Sequence, residues 1–141
     1  MNRIAKIKHN LSMTKDQNKR SSCPVSCALD ILGDKWTLLV IRDILFKGKQ
    51  HFRDFLASPE KIASNILSDR LKKLEECNII SRRRDPLNAR RVIYTLTEKG
   101  QDLSPAIHAL IHWGAKHDPD SNKHPCSMQH SSGCPKVNLE Q

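Results

Sequence analysis

The apolar positions of this chain recur at steps of three and four over most of its length, and alternate over one short stretch. In "CPVSCALDILG", Val25, Ala28, Leu29 and Leu32 fall on one helical face, Pro24 suits a first helical position, and Gly33 suits a left-handed helix end. Asp34 then caps a second helix, "KWTLLVIRDILF", which stops at Lys47-Gly48. "HFRDFLAS" reads as a short helix with Phe52, Phe55 and Leu56 on one side. Ser58-Pro59 reads as the cap and first-turn proline of the most strongly patterned helix, "IASNILSDRLKKLEEC". At about 100° per residue, Ala63, Ile66, Leu67, Leu71 and Leu74 share one face of it, and Asn65, Ser68, Asp69 and Lys72 lie on the other. Asn78 follows at the position where a left-handed residue ends a helix.

The period then changes. In "SRRRDPLNARRVIYTLT", Arg82, Arg83 and Arg84 precede the turn signal Asp85-Pro86-Leu87-Asn88, and Arg90 and Arg91 follow it. Val92, Tyr94 and Leu96 alternate with Ile93 and Thr95 as in a half-buried strand, so this is a hairpin with basic arms. Like charges facing each other across paired strands repel, and an anion relieves that repulsion. Thr97 can cap a last helix, from 98 to about 116, in which Leu103, Ile107, Leu110 and Gly114 repeat at helical steps; Pro105 predicts a bend or a late start there. The expected fold is mainly α with a small β-hairpin. Residues 1–22 read as a basic flexible arm with room for a short helix over 4–11, residues 23–118 as one domain, and residues 119–141 as a flexible tail.

Charge sharpens this picture. The chain carries a net +9, with 24 Lys and Arg against 15 Asp and Glu, and the excess is shared by the arm and the body. A polyanionic partner is expected. No apolar run reaches membrane-spanning length and the first residues lack the apolar region of a signal peptide, so the expected location is the cytoplasm, without a membrane partner. In that setting five cysteines read as thiols and not as a disulfide framework.

A short helix, a tight connection and a second helix with a small, polar outer face make a helix-turn-helix, whose second helix enters the major groove of double-stranded DNA. Ser64, Asn65, Ser68, Asp69 and Lys72 would form that reading face: Asn can bond adenine through two atoms, Ser several bases, Lys guanine or phosphate. The following hairpin would then be a wing, with Arg82, Arg83, Arg84, Arg90 and Arg91 meeting phosphates or the minor groove. Arg70 lies beside the apolar stripe and is expected to pair an acid, while Lys49 and Lys73 read as surface lysines without a specific task.

The segments "CPVSCALDILGDKWTLLVIRDI", "HFRDF", "NILSDRLKKLEECNII", "VIYTLTEKG" and "HWG" resemble the HxlR family of bacterial winged-helix regulators, relatives of the MarR group, over residues 23–114. The resemblance implies a transcription factor that dimerises through its first and last helices, without an enzymatic activity or a cofactor. Two positions depart from the family pattern: Ala63 stands where a capping Ser is common, and Asn78 where Gly is common.

Cys23, directly before Pro24, places its sulfur at the positive end of the first helix, which favours thiolate. The resemblance implies that a cysteine here senses oxidants or electrophiles. Cys27 lies one turn on, at a spacing an undistorted helix does not bridge easily, and Cys77 reads as a small apolar residue. In the tail, His124, Cys126, His130 and Cys134 are weak metal candidates, because their spacing matches no structural zinc pattern. An enzyme with a cysteine nucleophile would need a base and an orienting group, and His51, His108 and His112 form no such constellation in the sequence. A nucleic-acid-coating protein without sequence choice is the closer alternative to a specific regulator.

Overall fold

In the computed structural model, residues 19–118, 120 and 121 are described. The expected helix over 4–11 and the tail residues His124, Cys126, His130 and Cys134 lie outside the described residues. The elements run α1 (Pro24–Leu32), α2 (Thr37–Lys47), α3 (Phe52–Leu56), α4 (Ser64–Glu76), β1 (Ile80–Asp85), β2 (Asn88–Leu96), α5 (Glu98–Gln101) and α6 (Ser104–His117). This is the order the periodicity predicts, except that the single last helix expected from 98 to about 116 is broken into α5 and α6.

The helix ends differ from the expectation in instructive ways. Pro24 does open α1, but Gly33 has φ −75° and is not left-handed. A Cβ at Gly33 would sit 2.2 Å from the Leu29 carbonyl oxygen, so glycine is required there for a close approach and not for positive φ. Helix α2 starts at Thr37, and Asp34 still serves its orphan amides: Oδ1 accepts from the N–H of Trp36 at 2.9 Å and of Thr37 at 3.0 Å. Gly48, with φ +60°, ends α2 as predicted. Ser58-Pro59 does not open α4. That helix begins at Ser64, its N-cap Ala63 is exposed and contributes no side-chain bond, and Ser58 is buried against α2.

The core gathers Val40 and Ile41 of α2, Phe55 of α3, Ile62, Leu67, Leu71 and Leu74 at and along α4, Ile79, Ile80 of β1, and Ile107 of α6. Asn78, at φ +56°, closes α4 as predicted: its N–H bonds Glu75 O at 2.9 Å and the Ile79 N–H bonds Leu74 O at 2.9 Å, the paired bonds of a Schellman end. β1 and β2 pair antiparallel, with Arg82 opposite Tyr94, Arg83 opposite Ile93 and Arg84 opposite Val92. The register then shifts, leaving residues 89–91 without cross-strand partners. No arginine therefore faces another across the ladder, and the expected cross-strand repulsion is avoided by an irregularity. Thr97 caps α5 by accepting from the Gly100 N–H, and α6 restarts at Ser104 with Pro105 in its first turn, the late start that Pro105 predicts.

Burial by itself pushes the Asp34 carboxyl up, but the Thr37 hydroxyl, the Trp36 and Thr37 amides and the Arg70 guanidinium outweigh it and hold the group below the usual carboxylate range. A depressed carboxyl contributes stability that is full above its unfolded value near ~4 and is lost as the pH falls through the folded value. Asp34→Ala should lower the unfolding free energy at pH 7 by about 1 kcal/mol. It should also flatten the acid limb of stability below about pH 5 in denaturant titrations; an unchanged limb would remove Asp34 from the pH-sensitive set.

Candidate nucleic-acid interface

Helix α4 is two-sided. Leu67, Leu71 and Leu74 are buried, whereas Ser64, Asn65, Ser68, Asp69 and Lys72 are all exposed. The exposed face is lightly engaged: Lys72 Nζ stands 3.9 Å from Glu76, and Asp69 stands 3.4 Å from an Arg70 nitrogen. Exposed pairs of this kind contribute little and yield readily to another partner. Arg70 itself turns inward as expected, with Nη1 3.2 Å from Asp34 Oδ2. Lys73, expected to have no particular task, donates to the Asp30 carbonyl of α1 at 3.0 Å. Together they tie the inner edge of α4 to the α1–α2 junction.

The passage from α4 into the hairpin is clamped from the far side of the chain. The Thr97 hydroxyl donates to Asn78 O at 2.7 Å, the Thr97 N–H to Ile79 O at 3.0 Å, and Lys99 Nζ to Cys77 O at 2.8 Å. Gly100 is buried against this joint, where a Cβ would lie 2.2 Å from Ile79 O. Along β2, Gln50 O accepts the Tyr94 N–H at 2.8 Å and the His51 Nδ1–H donates to Val92 O at 3.1 Å. At the tip, Asp85 Oδ1 accepts the Leu87 N–H at 2.9 Å, which is the turn chemistry the sequence predicts. Arg82, Arg83, Arg84, Arg90 and Arg91 are all exposed, and none forms an ion pair among the described residues.

One cluster escaped the sequence reading. Asp43, on α2, is 2% exposed. It accepts from Arg42 Nε and Nη2 at 2.9 and 2.7 Å, from Lys49 Nζ at 2.9 Å and from the Ser58 hydroxyl at 2.5 Å. Arg42 also reaches Glu60, with nitrogen to oxygen distances of 2.7 and 3.2 Å. Burial pushes the Asp43 carboxyl up, and the bonds from Ser58, Lys49 and Arg42 bring it below the usual range. Lys49 is thus not an idle surface lysine. A signal was present in the sequence: an Arg-Asp pair in the middle of "LLVIRDILF", where a helix otherwise apolar at its centre must bury charge.

Cys23 occupies the N-cap of α1 and is exposed, and the amides of Ser26 and Val25 hold its thiol below the ordinary range. Cys27 Sγ lies 3.5 Å from Ser21 O, and Cys77 is half-buried at the end of α4. His108 packs edge-on to Phe46 with centroids 4.8 Å apart and its Nδ1 meets Ser104 O at 2.8 Å, so it serves the contact of α6 with α2. Among the described residues no group of three or more His, Cys, Asp or Glu side chains is placed to hold a metal, and no helix is long and apolar enough to cross a membrane.

A family profile described as HxlR-like helix-turn-helix matches residues 31–122. The HTH-type transcriptional regulator YvaP of Bacillus subtilis is 32% identical over 100 residues, covering 70% of this chain and 92% of its own length. Among solved structures, PA1607, described as a transcription factor, superposes with a TM-score of 0.66 at 31% identity over 87% of this chain and 80% of its own. Quinone-bound YodB from B. subtilis superposes with a TM-score of 0.53 at 34% identity over 67% of this chain and 98% of its own. With its helix-turn-helix, its two-stranded wing and these matches, the chain belongs to the HxlR-like family of DNA-binding, winged helix-turn-helix transcriptional regulators, related to the MarR group.

Proposed function

We propose that the protein is a cytoplasmic homodimer that recognises a particular double-stranded DNA sequence and loses or changes that affinity when Cys23 is oxidised or alkylated. One observation carries the DNA reading: basic side chains of the body divide into two sets. Arg42, Lys49, Arg70 and Lys73 are engaged with other parts of the fold, whereas the five wing arginines, like Arg53 and Lys61, stand exposed without ion pairs among the described residues, and the wing's five follow directly on the polar face of α4. Unpaired charge of one sign beside a reading face is what a phosphate backbone neutralises. In this reading Ser64, Asn65, Ser68, Asp69 and Lys72 meet base edges, and Arg82, Arg83, Arg84, Arg90 and Arg91 meet phosphates or the minor groove.

Dimerisation is supported by where apolar surface is left over. Val25 and Leu29 of α1 are 65% and 50% exposed, and Leu110 and Trp113 of α6 are 53% and 67% exposed. Large apolar side chains left exposed on the first and last helices favour a partner surface. A second copy pairing through α1 and α6 would present two α4 helices to successive major grooves about 34 Å apart. The sensing role rests on the exposed, lowered thiol of Cys23 and on the likeness to quinone-bound YodB. A protein that coats nucleic acid without sequence choice remains the competing reading, and base-dependent binding separates the two.

Asn65→Ala and Lys72→Ala should each weaken binding to the duplex that the protein enriches from a random library by about 5- to 100-fold, with little change on a scrambled duplex. Arg84→Ala should weaken both duplexes alike and lower the slope of log affinity against log salt by about one unit; a slope that stays put would strike Arg84 from the phosphate contacts.

Leu29→Glu or Trp113→Asp should convert the dimer to monomer in sedimentation equilibrium and weaken operator binding. A wild-type chain that sediments as a monomer at micromolar concentration would end the dimer reading.

Cys23→Ser should abolish DNA release by peroxide, diamide or a quinone while leaving the untreated affinity intact. Unchanged release in that variant would dismiss Cys23 as the sensor.

A further inference from the structure

The turn between α3 and α4 sets how the recognition helix leaves its scaffold, yet little local chemistry holds it. Ala63 gives α4 no side-chain cap, and Lys61, two residues earlier, sits at φ +55°, a region that a residue with a Cβ adopts only when its surroundings impose it. The local backbone bonds of the turn are Ser58 N–H to Phe55 O at 3.1 Å and Lys61 N–H to Ser58 O at 3.0 Å. Ile62 of the turn is buried in the core, and the remaining polar restraint comes from α2 and the residues just past it. Ser58 donates to Asp43 Oδ2, and Lys49 Nζ bridges the same oxygen and the Ser58 hydroxyl at 2.9 and 2.6 Å. Arg42 grips Asp43 Oδ1 with one edge and Glu60 with the other. Two residues of the turn, Ser58 and Glu60, are therefore anchored to one buried carboxylate, directly or through the guanidinium beside it.

We propose that Asp43 is a positioning residue for sequence-specific DNA binding: through Ser58, Lys49, Arg42 and Glu60 it fixes the α3–α4 turn and with it the aim of the recognition helix. Charge-assisted hydrogen bonds to a buried, fixed acceptor are directional and stiff, in contrast to the apolar stripe of Leu67, Leu71 and Leu74, which resists separation more than sliding or rotation. The stripe keeps α4 on the core. The carboxylate network sets its start. Bidentate base contacts tolerate small errors in helix placement poorly, whereas phosphate contacts from long, exposed arginines tolerate them well. Loosening the turn should thus cost sequence discrimination before it costs general affinity for DNA.

This inference rests on α4 being the helix that reads bases. The test uses the full-length protein carrying Ser58→Ala, Glu60→Gln or Asp43→Asn, with the duplex enriched by the wild-type protein and a scrambled duplex of equal length. Far-UV circular dichroism and a thermal melt fix a temperature at which each variant is folded. Ser58→Ala, the mildest change, should raise the dissociation constant for the enriched duplex on the order of tenfold while that for the scrambled duplex and the salt slope stay within about twofold. Ser58→Thr, which keeps the hydroxyl, should restore discrimination. Asp43→Asn should act in the same direction and more strongly; should it not fold, Ser58→Ala and Glu60→Gln still decide the matter. Equal weakening on both duplexes, or none on either while Asn65→Ala still abolishes discrimination, overturns the role of Asp43. Full discrimination in Asn65→Ala and Lys72→Ala would instead overturn the reading face itself, a result these variants report separately.

Discussion

A carboxylate with almost no access to water is tolerated only if it is surrounded by donors, and Asp43 imposes that requirement on the middle of the fold. Its donors come from three places: Arg42 beside it on α2, Lys49 just past the glycine that ends α2, and Ser58 in the turn before α4. A second acid, Glu60, takes the remaining edge of the Arg42 guanidinium. Removing one partner from such a cluster leaves buried charge uncompensated, at a cost of about 3–5 kcal/mol. The chain between α2 and α4 is consequently held in one arrangement by electrostatics, while the Leu67, Leu71 and Leu74 stripe supplies the apolar contact that makes the arrangement stable.

Legibility in the sequence follows the range of the forces involved. The helices and the hairpin were readable because their signals are local: apolar spacing for α2 and α4, Gly48 and Asn78 as left-handed ends, Asp85-Pro86-Leu87-Asn88 as a turn. Ser58-Pro59 was misread because a cap and a tertiary hydroxyl look alike in sequence, and only the fold shows Ser58 bonded to Asp43, fifteen positions earlier. Gly33 was misread for a related reason. Its need for hydrogen in place of a Cβ comes from the nearness of Leu29 O, not from its own φ. Register was out of reach as well: alternation announces a strand, but the shift at Arg84 and Asp85 that separates the arginines appears only when the two arms are paired.

The exposed positions of the reading face were legible to a greater degree, since the residues opposite a buried helical stripe are fixed once the stripe is known. What the sequence distinguishes only in part is which cations are committed. Arg70, next to Leu71 of the buried stripe, was legible as a committed cation, but Lys49 and Lys73 look alike in composition to any surface lysine. The fold sorts them: Lys49 serves Asp43, Lys73 the carbonyl at Asp30, Arg70 the cap residue Asp34. Net charge alone therefore overstates the attraction available to an anion, and five of the exposed cations without an ion pair among the described residues lie on the wing.

That partition also explains how one small body can be stable without its partner while carrying a surface adapted to it. Committed cations raise stability through pairs buried or half-buried in protein, where salt screens weakly. The wing arginines sit in water: the register sets Arg82, Arg83 and Arg84 opposite aromatic or apolar residues and leaves Arg90 and Arg91 without a cross-strand partner, so their mutual repulsion is spread over space and screened. The hairpin is anchored at its base through Thr97 and Gly100 and along β2 through Gln50 and His51, whose ring also stands 4.0 Å from Asp85 at the turn. In the proposed reading, arginines without structural ion pairs would surrender solvent and side-chain freedom to a phosphate backbone without loosening the core. Under the proposed reading, the turn before α4, anchored on Asp43, would set the geometry of base reading, and the wing the strength of attachment.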